Sequence, residues 1–153
     1  MLLTDLFLNH IENLYNLNRE TSTIEDHISK LQRFVKWFND YKVKDITAND
    51  MEIYKADLIK SYASGTVNAH IEKINAMLNS YLLSILKLHL DDKEYNVLRM
   101  SYGLDCVKHS ATEIANAIGI NGTSSYVRVS QLKKQAIQKL IDNVDASQVI
   151  DFL

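Results

Sequence analysis

Proline is absent from this chain of 153 residues, cysteine and tryptophan each occur once, and glycine four times. Without proline, no pyrrolidine ring removes a backbone donor or clashes with the preceding turn, so helices can run long and unbroken. The lone Cys106 excludes an internal disulfide, which fits a reducing cytoplasm. No apolar run approaches the ~20 residues that a membrane helix needs. The apolar start (Leu2, Leu3, Leu6, Phe7, Leu8) is interrupted by Asp5, Asn9 and His10 and has no basic segment before it. Neither a signal peptide nor a membrane partner is therefore expected. What remains is a mixture of 46% apolar and 24% charged residues, the balance of a globular chain with one domain or two small ones.

One sign of charge is missing from one stretch. The chain carries a net charge of −2, yet between Ile114 and Ile141 there is no Asp or Glu, while Arg128, Lys133, Lys134 and Lys139 all fall there. A local excess of cations in an otherwise acidic chain is the electrostatic footprint of a nucleic-acid contact.

Apolar spacing of three and four residues predicts an all-α chain with no alternating strand. Expected helices cover Thr4 to Tyr15, then Thr21 or Thr23 to Phe38 with Ser22 and Glu25 at capping-box spacing, and then a helix opened by Thr47 and Asp50. A long segment runs from Ser64 or Thr66 to Leu90. Asp91 and Asp92 suit the start of the next helix, and Gly103 suits its end. A short helix from Thr112 to Ile118, with Ile114, Ala117 and Ile118 facing inward, precedes a long one from Ser125 to Asp142. Asp145 caps a final turn. The seam is expected near His89 to Asp91, giving a helical bundle over residues 1–89 and a helix-turn-helix domain over 90–153.

A helix-turn-helix needs a bracing helix, a short turn and a second helix with a polar outer face. In the last long helix, Val129, Leu132, Ala136, Ile137 and Leu140 form the inward stripe. Tyr126, Arg128, Ser130, Gln131, Lys133, Lys134 and Lys139 are the candidate DNA-binding residues. Arg and Gln can pair with guanine and adenine edges, and Lys suits phosphates.

Three runs carry a family likeness: Leu90 to Asp105 with Val97-Leu-Arg99 and Tyr102-Gly-Leu-Asp105, Thr112 to Gly119, and Val129 to Leu140. In order and spacing they resemble region four of bacterial sigma factors, the domain that reads the upstream promoter element and docks on RNA polymerase. The resemblance implies that Tyr126, Arg128, Ser130 and Gln131 occupy the base- and phosphate-facing part of a recognition helix. The stretch Ile120 to Tyr126 is longer than the family's turn, and Tyr126, Val127 and Ser130 stand at charged positions of its helix. More weakly, Thr21 to Ile74 resembles the core-binding domain of phage-type tyrosine recombinases, through Thr23, His27, Leu31, Phe34, Trp37, Phe38, Tyr54 and Ser64-Gly-Thr-Val-Asn68. After Leu90 only Arg99 and Arg128 remain, and neither lies in the His-x-x-Arg cluster that the family's chemistry requires.

Enzyme chemistry finds no footing. His10, His27, His70, His89 and His109 are dispersed, and Cys106 with His109 makes only one pair of ligands where structural zinc needs four. No metal, cofactor or catalytic residue is expected. The sequence is read as a DNA-binding transcriptional regulator of phage or mobile-element origin, acting on double-stranded DNA in the nucleoid of a bacterial host. The alternative is a protein-interaction module on RNA polymerase or another regulator, and the third reading is an accessory factor in site-specific recombination. The apolar tail from Val149 to Leu153 is assigned to closing the domain, with a homodimer contact as its other role.

Overall fold

A computed structural model describes residues 1–39 and 41–144, and the expected final turn at Asp145 and the tail to Leu153 lie outside them. The chain is all-α. Its helices are α1 (Leu3–Asn16), α2 (Thr21–Phe38), α3 (Ala48–Ser61), α4 (Ser64–His89), α5 (Asp92–Tyr102), α6 (Ala111–Ala117) and α7 (Ser125–Asn143), with a 3-10 turn at Val43–Asp45. An isolated antiparallel bridge joins Leu2 to Lys42. No helix among the described residues is long and apolar enough to cross a membrane.

Two compact units form, Met1–Leu78 and a second beginning at Asn79. The division falls inside α4 rather than at its end near His89. Leu82 and Leu86, on the last turns of α4, pack with Leu98, Leu104, Ala136, Leu140 and Val144, so that part of the helix belongs to the second core.

The first unit is built on regular stripes. α1 buries Leu3, Leu6, His10 and Leu14, and α2 buries Ile24, His27, Leu31, Phe34 and Phe38. α3 adds Tyr54 and Leu58. These intervals of three, four and seven residues place one face of each helix inward. α3 opens on a true capping box, in which Thr47 Oγ1 accepts from the Asp50 backbone and the Asp50 carboxylate accepts from the Thr47 N–H. α2 differs from expectation. It starts with Glu20 as N-cap and no side-chain cap bond, because the Ile24 N–H already reaches the Glu20 carbonyl and Ser22 lies inside the first turn.

A buried histidine pair ties α1 to α2. His10 Nε2 and His27 Nδ1 lie 3.1 Å apart, so one ring must donate while the other accepts. Burial first, and then the charge of His27, brings the His10 pKa down from 6.5 to about 4. His27 and His70 are also lowered, mainly by burial. Because the unfolded chain binds these protons more readily, stability present above pH 6.5 is lost as the pH falls towards 4. For His10 the full interval is worth about 3 kcal/mol, reduced to about 2 by its residual solvent contact. Urea unfolding followed by Trp37 fluorescence should show that decline, and His10→Leu should flatten it. A wild-type profile that is level across this window would refute the assignment.

Candidate nucleic-acid interface

The end of α5 is fixed by a sharp reversal. Gly103 adopts the left-handed region at φ +65°, and a Cβ there would meet the Cys106 carbonyl oxygen at 3.0 Å and the Lys108 nitrogen at 3.1 Å. Only glycine fits without strain. The loop beyond is held back on α5: Arg99 pairs with Asp105, and the His109 N–H donates to the Met100 carbonyl at 2.9 Å. Asn79 Nδ2 donates to the Leu104 carbonyl at 2.8 Å. This sets the start of α6, which Ser110 and Glu113 cap with a reciprocal capping box, one residue earlier than the expected start at Thr112.

α6 buries Ile114 and Ala115. Ala117, expected inside, is exposed, and Ala115 takes the inward place. Ile114 and Ala115 pack with Val97 of α5 and with Val129 and Leu132 of α7. The connection from Ile118 to Ser124 carries Gly119 and Gly122 at φ +77° and +115°, and the Ile120 N–H returns to the Ala115 carbonyl at 2.8 Å. α6 thus packs against the first half of α7, while α5 runs along both halves, through Val97 to Val129 and Leu132 and through Leu98 to Ala136 and Leu140.

At 100° per residue, the buried stripe of α7 (Val129, Leu132, Ala136, Leu140) fixes what its opposite face must carry. The line diametrically opposite runs through Val127, Gln131, Lys134 and Gln138. All four are exposed. Ser130 flanks that line and Arg128 lies on the side of the helix, on the same row as Lys139; both Ser130 and Arg128 are exposed, and Arg128 Nη1 donates to Gln131 Oε1 at 3.5 Å. Tyr126 projects from the first turn at 55% exposure.

The other two candidate lysines sit on the sides of the helix and already have partners. Lys133 Nζ lies 4.4 Å above the centre of the Tyr102 ring, a cation–π contact. Lys139 Nζ donates to Glu94 Oε1 at 2.6 Å. Glu94 is only 5% exposed in its side chain, and its second oxygen accepts from the Asp91 N–H in the capping box of α5. The hydrogen bond to Glu94 raises the Lys139 pKa. Lys139 is thereby placed as the counter-charge of a buried carboxylate. Its exposed neighbour Lys134 makes no ion pair among the described residues. Lys139→Ala should therefore lower the thermal midpoint, since it strands a buried anion, whereas Lys134→Ala should leave it in place. Lys139→Arg should recover most of the loss. Equal midpoints for the two alanine variants would remove the structural role of Lys139.

Among the described residues, no group of three or more His, Cys, Asp or Glu could hold a metal ion. No family model, curated protein or solved structure matches the chain.

Proposed function

We propose that this protein is a sequence-specific DNA-binding regulator that lays α7 in the major groove of double-stranded DNA, with α6 as the bracing helix of a helix-turn-helix. The observation that carries this reading is the outward face of α7. It is exposed, it presents Gln131 and Lys134 with Arg128 reaching Gln131 from the side, and its one carboxylate, Asp142, stands in the last turn bonded to Gln138. The turns of such a helix that precede Asp142 can approach a duplex without desolvating an anion against phosphate. The ordered runs that resemble sigma region four support the same placement, and a regulator encoded by a phage or mobile element is the setting in which both partial resemblances meet.

Within this reading Arg128 and Gln131 face base edges, Lys134 and Tyr126 face phosphates, and Ser130 lies between them. Lys133 and Lys139 contribute less, because the Tyr102 ring and Glu94 already engage their charges. The test is recovery of DNA fragments by the purified protein, followed by salt titration of a recovered duplex. Lys134→Ala should weaken binding for all sequences and flatten the slope of log affinity against log salt by about one per lost phosphate contact. Arg128→Ala should in addition relax the preferred sequence, by about 1–3 kcal/mol at one base pair. If no fragments are enriched while RNA polymerase is recovered from nuclease-treated extract, the polymerase-docking reading replaces this one. That second reading draws on the overall charge of −2 and on the two engaged lysines.

A further inference from the structure

The outward line of α7 begins on an apolar residue. Val127 is 40% exposed in the first turn, directly opposite the buried stripe, where a solvated helix gains nothing from a branched apolar side chain with low helix propensity. One turn further on, Gln131 is exposed with its Oε1 held by Arg128 Nη1 at 3.5 Å. That contact takes one lone pair of the amide oxygen, leaving the second lone pair and both Nε2 hydrogens for another partner. A further turn brings Lys134. Along a single line the helix therefore offers two methyl groups, an amide with both an acceptor and donors, and an ammonium.

The major-groove edge of an A·T pair is the complement of the first two. Thymine presents a 5-methyl group there, and adenine presents N6–H and N7, a donor and an acceptor that a carboxamide can engage together. The charge of the surface selects the same occupant. With no carboxylate from Ile114 to Ile141, with Lys134 on the line and Arg128 to its side, the face complements a polyanion rather than a basic or apolar protein groove.

We propose that Val127 is a specificity-determining residue that packs on a thymine 5-methyl group, while Gln131, steadied by Arg128, pairs with an adenine at a neighbouring A·T pair. This rests on the reading of α7 as the groove-entering helix and names the sequence class that the helix selects. Arg128 acts partly through Gln131, by fixing which way its amide faces.

The experiment selects duplexes from a random pool with the full chain, then replaces each thymine of the selected duplex singly by deoxyuridine, which removes only the 5-methyl group. Binding is compared for the wild type and Val127→Ala at one salt concentration, after circular dichroism has shown equal helicity. One deoxyuridine position should weaken wild-type binding about four-fold, the worth of one buried methyl group. The same position should be silent in Val127→Ala, and Val127→Ile should restore the sensitivity. Enrichment of a sequence in which no thymine methyl matters, or in which its effect survives Val127→Ala, overturns this inference and leaves the DNA-binding reading standing. A pool with no enriched sequence overturns both.

Discussion

Replacing Leu98 by alanine lowers the stability of the carboxy-terminal unit by about 2–5 kcal/mol. Leu98 is fully buried where the last turns of α4, through Leu82 and Leu86, meet Leu104, Ala136, Leu140 and Val144. Truncation removes the side chain's burial and leaves a cavity among residues from three helices, and those helices cannot collapse far without breaking the packing of Val97 on Ile114, Ala115 and Val129 next to it. A small helical unit has only about 5 kcal/mol in hand, so a loss at the upper end of that range leaves a large part of the population unfolded. On the proposed DNA-binding reading, apparent affinity should then fall by the folded fraction, while the salt slope of the remaining binding stays that of the wild type. This separates Leu98→Ala from Lys134→Ala, which changes the slope and not the melting curve. A melting midpoint within a degree or two of the wild type would show that this core is not what holds α7.

Local chemistry made most of the helical frame readable. Thr47 with Asp50 predicts a capping box because the reciprocal bonds span only three residues, and they form. Gly103 predicts a left-handed cap because no other residue reaches that conformation cheaply, and it sits at φ +65°. The stripe Val129, Leu132, Ala136, Leu140 is buried as its spacing requires. Ser22 with Glu25 shows the limit of the same rule. Its spacing is right, but the helix begins two residues earlier than the motif needs.

What the sequence could not convey is pairing between distant positions. Glu94 and Lys139 are far apart in the chain, and nothing in either segment announces that a carboxylate at the start of α5 is buried and needs that ammonium. The same holds for Lys133 over Tyr102 and for His10 against His27. All seven candidate DNA-binding residues lie on α7, yet charge counting alone could not separate a free lysine from one already engaged. Helix geometry does so once the buried stripe is known. It also raises Val127, an apolar residue passed over as a candidate contact, to the middle of the exposed face.

Phe34→Ala probes the other unit, with an expected loss of about 3–5 kcal/mol. Phe34 is fully buried and makes edge-on ring contacts with Phe38 at 4.9 Å and Tyr54 at 5.2 Å, and Tyr54 in turn meets Trp37 at 5.6 Å. Each ring pair is worth about 0.5–1.5 kcal/mol beyond the area it buries, so removing Phe34 costs two pairs as well as a large apolar volume. Trp37 is the single tryptophan of the chain and belongs to this cluster, so its fluorescence reports the amino-terminal unit specifically. The variant should bring the Trp37 transition to much lower urea and leave a later loss of helicity from the second unit. DNA binding by that variant, measured below its second transition, then assigns the two units their parts. Unchanged affinity places recognition in α7 and its supports alone. A ten-fold or larger loss, with the carboxy-terminal unit still folded, would place DNA contacts on the amino-terminal unit too, among exposed cations such as Lys36 and Lys60.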